Sequence, residues 1–217
     1  MDKILILLAV ALGVALVFFF MMNPTKDGNA YNPKMSEVTI SIGPVPIVQV
    51  KASEKFTVDF KDEAMAPRLE KLYKEGKLLI FQGQAVVGTI LALEKGYSNA
   101  EEKAREELSR FISTVVKVAT GRILDCSSNA KVCSSVYTSA SMAISETLQF
   151  GAKVILKYRD FEFGVGWRCG VALFYDPSLA VDAIRTNAKL REILKTRGID
   201  PEEFAKQIDE AIRETKR

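Results

Sequence analysis

Three cysteines, Cys126, Cys133 and Cys169, are the residues with the most definite chemistry to offer. Cys126 and Cys133 bracket the polar stretch Ser-Ser-Asn-Ala-Lys-Val. That spacing suits a small disulfide loop in an oxidising compartment; two unpaired thiols are the alternative. It does not suit zinc, and no histidine is present to complete such a site. Cys169, between Arg168 and Gly170 in an expected strand, reads as a small core residue. The absence of histidine also removes the commonest general base.

A serine activated by a lysine needs no histidine. Ser141-Met142-Ala143-Ile144 begins like the Ser-Met-x-Pro motif of membrane-anchored signal peptidases, but the proline is missing and the stretch reads as helix. Lys153 and Lys157 follow too closely in sequence. A membrane-tethered Ser/Lys hydrolase is therefore the rival reading, and no catalytic residue is assigned. Asp160 and Glu162 alternate about Phe161 and could share a calcium ion; edge-strand charges that block pairing are the plainer reading. Gly164-Val165-Gly166 leads into a strand rather than a helix, so it is a turn and not a phosphate loop. No cofactor or metal is expected.

Lys153, Lys157, Arg159 and Arg168 form the candidate interaction strip, with Tyr158, Phe161, Phe163 and Trp167 nearby. Basic residues among aromatics can bind single-stranded nucleic acid. The overall balance of 30 basic against 27 acidic residues does not call for it. The plainer expectation puts the aromatics on a core side and the basic groups in solvent. A module that binds nucleic acid or an anionic lipid surface through this strip is the second rival reading; nucleic acid is a disfavoured partner, and a protein partner or self-association is expected.

The elements that must position these residues begin with a span. Ile4 to Met22 carries no charge and no proline. As a helix these residues reach roughly 28 Å, close to the apolar thickness of a bilayer. Residues 1–22 are expected to form an uncleaved transmembrane signal-anchor. A cleaved signal is the alternative, with a late site at Gly28-Asn29-Ala30. Lys3 and the amino terminus face Lys26 across the span, a slight bias. The short N-terminal flank and the C-terminal body fit export. The localisation expected is a cell membrane crossed once, with the body outside the cytoplasm. No cysteine near the span allows lipidation.

Residues 23–36 read as a linker and 37–176 as one α+β domain. Alternation over 37–60, interrupted by Pro44 and Pro46, gives strands with at least one at an edge. A short helix is expected over 62–75, then a long strand from Leu78 to Leu93, in which Gly83 and Gly88 suggest a bulge, a bend or a division into two strands. Ser98 and Glu101 form a capping-box signature. Ala104, Leu108, Phe111, Ile112, Val115, Val118 and Ala119 follow as one apolar stripe, with Glu101–Arg105 and Glu106–Arg110 pairs on the wet side. A second helix covers about 132–149, facing Val136, Ala140, Ala143, Ile144 and Thr147 inward. A hairpin follows, with Val154, Leu156 and Tyr158 alternating against Lys153, Ile155, Lys157 and Arg159. Its return strand runs from Trp167 to Tyr175. Residues 177–217 read as a C-terminal extension of two helices, started by Asp176-Pro177 and Asp200-Pro201 and separated at Gly198.

Gly96-Tyr97-Ser98-Asn99-Ala100-Glu101, the serine-rich stretch, the helix and the Gly151-Ala152-Lys153-Val154 entry to an aromatic-rich hairpin resemble the lipoprotein-20 family of bacterial envelope proteins. They are also similar to the N-terminal domain of a flagellar H-ring assembly protein. The resemblance covers about residues 78–176. It implies an exported, non-catalytic envelope domain and brings no catalytic set. The fold class expected is α+β: a transmembrane helix, a mostly antiparallel sheet packed by helices, and a helical C-terminus.

Overall fold

The computed structural model describes residues 35–215. The membrane span expected at residues 4–22 and nearly all of the linker lie outside them. Among the described residues, no helix is long and apolar enough to cross a membrane.

The body is α+β. Strands β1 (Ser36–Ile42) and β2 (Val45–Ala52) form an antiparallel hairpin. A register shift at Ile40/Ser41 falls opposite Pro46, which a two-stranded sheet accommodates because both strands are edges. Strand β3 (Thr57–Lys61) leads to helix α1 (Ala66–Lys74), entered through Pro67, and then to β4 (Leu79–Val87). Long helices α2 (Leu93–Ile123) and α3 (Ala130–Gly151) precede the hairpin of β5 (Ala152–Glu162) and β6 (Gly166–Tyr175). Helices α4 (Pro177–Thr186), α5 (Ala188–Thr196) and α6 (Pro201–Thr215) end the chain. The main sheet is antiparallel, in the order β3-β5-β6-β4.

Three apolar clusters hold these layers. On one face of the sheet, Ile42, Val45 and Val48 of the first hairpin and Leu69 of α1 cover Leu156, Tyr158, Ala172 and Phe174. On the other, Leu93, Tyr97, Ala100 and Ala104 of α2 cover Cys169, Val171 and Leu173. The third joins the far half of α2 to α3, α4, α5 and α6 around Leu108, Ile112, Ile144, Tyr175, Phe204 and Ile208. The C-terminal helices thus share a core with the long pair rather than trailing from it.

The course of the elements departs from the sequence reading at Leu93, Gly83 and Asn187. The strand expected to reach Leu93 ends at Val87, and α2 starts at Leu93, so Ser98 lies exposed inside a helix and caps nothing. The apolar stripe runs back through Tyr97 and Leu93, and Gly96 is part of it: a Cβ there would lie 2.5 Å from Cys169 Sγ. Gly83 does not bend β4. It lets the strand approach α2 so closely that an added Cβ would strike the Ala100 carbonyl and sit 2.7 Å from Ala104 N. Last, the helix expected to run from Pro177 to Gly198 is broken at Asn187. Its backbone leaves the helical region (ψ 105°), and its side chain accepts from Leu190 N at 2.9 Å to start α5.

Candidate functional site

The four basic residues of the candidate strip do not share one face. Residues paired across an antiparallel ladder point the same way. Lys157 pairs with Val171 and Arg159 with Cys169, on the side covered by α2. Lys153 pairs with Phe174, whose side chain belongs to the opposite face, as does Tyr158 across from Gly170. Arg168 follows that second face, opposite Asp160. A register shift between Val154 and Leu156 separates Lys153 from Lys157. The same shift buries Ile155 beside Leu156, where strict alternation would have exposed it.

Lys157 and Arg159 enter a polar cluster at the start of α2. A shift between Val58 and Phe60 in β3 accompanies the placing of Asp59 against this cluster. Asp59 accepts from the Tyr97 hydroxyl and pairs with Arg159 Nε at 3.4 Å. Lys157 Nζ lies 5.4 Å from the Tyr97 ring centroid, and the Arg159 guanidinium 5.6 Å from that of Trp167, both within cation–π range. Burial, then the hydrogen bond and charge of Asp59, push the Tyr97 hydroxyl far above its ordinary pKa, so it stays a donor. Burial and then the Asp59 charge push the Cys169 thiol up as well, and its Sγ lies 3.9 Å from the Leu93 carbonyl oxygen. A thiol held protonated is a poor nucleophile. The cluster ties three strands to α2, with its Tyr97 hydroxyl and Cys169 thiol both held protonated.

On the opposite face a recess of about 190 Å³ is lined by Gln49, Lys51, Gln84, Tyr158, Asp160 and Arg168, among others. Asp160, buried in a strand flanked on both sides, is no edge charge. It accepts from Ser53 N at 3.0 Å and from Ser53 Oγ. Glu162 pairs with Arg168. The two carboxylates considered for calcium are therefore committed to different partners. Among the described residues, no group of three or more Cys, Asp or Glu is placed to hold a metal ion. Gln84 Nε2 donates to the Tyr158 hydroxyl at 2.8 Å, and burial raises that phenol's pKa. No pattern in the sequence marks Ser53, Asp59 or Gln84; the register shift in β3 and the early start of α2 bring Asp59 and Tyr97 together.

Ser141 of the hydrolase reading sits in mid-α3 with its Oγ buried and no hydrogen-bond partner among the described residues. A serine nucleophile needs a base within hydrogen-bond reach. Cys126 and Cys133 form the disulfide, with Cα atoms 5.7 Å apart, closing the turn between α2 and α3. Beside it, hydrogen bonds from Ser127 and Ser128 hold the Asp125 carboxyl below its usual range. Cys169 is free and buried.

A groove of about 560 Å³ runs between α1, the start of α4 and α6, lined by Arg68, Lys71, Asp176, Arg185, Lys206 and Asp209 with eight others. Arg68 pairs with Asp176 at its edge. The chain matches no protein-family model, no curated protein and no solved structure. Arg159 is paired with Asp59 on one face of the sheet and Arg168 with Glu162 on the other, and the groove carries charges of both signs.

Proposed function

We propose that the chain is a single-pass membrane protein whose body is displayed outside the cytoplasm and acts by binding or assembly rather than by catalysis. The observation that carries this reading is the Cys126–Cys133 disulfide in a body whose sequence is preceded by an uncharged apolar run at residues 4–22. Disulfides persist in oxidising compartments, and a run of that length is what an anchor requires. The committed partners of Asp59, Tyr97, Arg159, Asp160 and Glu162 support a structural use of the polar groups. The resemblance to lipoprotein-20-like envelope domains supports the same compartment, with a peptide anchor in place of a lipid. Protein partners or self-association fit a mixed-charge surface better than nucleic acid does.

Alkaline carbonate extraction of native membranes, followed by intact-mass analysis of the retained protein, tests the anchor. Retention at the full-chain mass is expected. A mature protein beginning near Tyr31 and released into solution would replace the anchor with a cleaved signal.

A further inference from the structure

At one end of the main sheet, two loops turn four large apolar side chains to solvent, with Val86 of β4 exposed behind them. Ile90 (52 % exposed) and Leu91 (94 %) lie on the short turn after β4; Phe163 (72 %) and Val165 (50 %) form the β5–β6 tip. The two loops are neighbours, because Val87 pairs with Trp167 and a Cβ on Gly166 would lie 2.6 Å from the Val87 carbonyl oxygen. One step back along the strands, Phe161 and Trp167 pack with ring centroids 5.2 Å apart. Lys55 Nζ lies 4.8 Å from the Phe161 centroid, and Arg159 stacks over Trp167. Apolar tip, aromatic collar and cationic groups succeed one another in the order that acyl chains, interface and headgroups present themselves from inside a leaflet outward.

The chain enters the body at this same end. Ser36, the first residue of β1, pairs with Ala52, and the next residue, Ser53, bonds to Asp160 and to the Phe161 carbonyl. Thirteen residues separate Met22 from Ser36 and span at most about 45 Å when fully extended. We infer that Ile90, Leu91, Phe163 and Val165 insert shallowly into the bilayer that anchors the chain, so that the body docks on the membrane as well as hanging from it. This rests on the anchor reading above.

Trp167 is the sole tryptophan, so a reporter can be moved. The full chain carrying Leu91→Trp and Trp167→Phe is reconstituted in phosphatidylcholine–phosphatidylglycerol vesicles, with and without lipids brominated in the acyl chain. The inference expects blue-shifted emission, quenching by the brominated lipid and protection from aqueous iodide. Adding Phe163→Asp and Val165→Asp should reverse all three while the protein still floats with the vesicles. Emission quenched by iodide and not by bromine overturns the inference, as does quenching that survives the two aspartates. A blue shift without bromine quenching overturns it in favour of self-association through this tip. Release of the protein from the vesicles at alkaline pH overturns the anchor reading, and the docking inference with it.

Discussion

Asp176 does two jobs at the junction of β6 and α4. Its carboxylate accepts from Ser178 N at 3.0 Å, capping the helix, and it pairs with Arg68 of α1. Burial raises its pKa, but the bonds from Ser178 and Arg68 outweigh that and hold it below its unfolded value of 3.8. A carboxyl lowered in the fold stabilises above its unfolded pKa and loses that contribution as pH falls through the folded one. Asp176→Asn should cost about 1–3 kcal/mol at neutral pH and flatten the loss of stability below about pH 4. Denaturant melts at neutral and acid pH check both. Tyr175 has the opposite sign. Burial pushes its hydroxyl up to about 12 from 10.0, despite the 2.9 Å bond with Thr147. Its contribution is complete below pH 10 and declines between pH 10 and 12, by on the order of 2–3 kcal/mol. Tyr175→Phe should shrink that alkaline loss, leaving the part due to the raised Tyr97 and Tyr158. The sequence marked Asp176 as an N-cap before proline and turned Thr147 inward; the pairing with Arg68 and the Thr147–Tyr175 bond depend on contacts across the fold.

The long helix α2 carries the packing on which the sheet depends. Leu108 is buried between the sheet and the helices that follow. Leu108→Ala should cost about 2–5 kcal/mol, whereas Met142→Ala, on the exposed side of α3, should cost little. Gly83→Ala should also destabilise, by about 1–3 kcal/mol, because β4 must withdraw from Ala100 and Ala104. Thermal melts of the three variants would rank them in one experiment. These elements also show what the sequence could reveal. The apolar stripe of α2, the inward face of α3 and the Phe204–Ile208–Ala211–Ile212 face of α6 follow from periodicity and pack into the core, with Phe111, Val118 and Thr147 half-buried; the β5–β6 pairing followed too, but not which of its side chains are buried. The start of α2 did not follow, because Gly96 reads as a stop by propensity and as a contact by packing. Nor did the facing of the basic strip. One extra residue in a strand reverses every side chain beyond it, and nothing local marks the Val154–Leu156 shift.

At the scale of the whole chain, the proposed compartment rests on the disulfide and the apolar run together. The bridge closes a loop with a sequence separation of only 7, so it should stabilise the body modestly, by about 2.5 kcal/mol in the loop-entropy model. Replacing both cysteines by serine should lower the melting temperature and still leave a folded body, since Cys126 and Cys133 lie at one turn, whereas replacing Cys169 by a larger residue should disrupt the contact with Gly96. The central claim is that one membrane span displays this body outside the cytoplasm. Protease digestion of sealed, right-side-out vesicles from native membranes, read by mass spectrometry, tests it most directly. The account predicts release of peptides from residues 35–215 without lysis, while the span stays with the membrane. A body that is digested only after the vesicles are opened would place it in the cytoplasm and contradict the account.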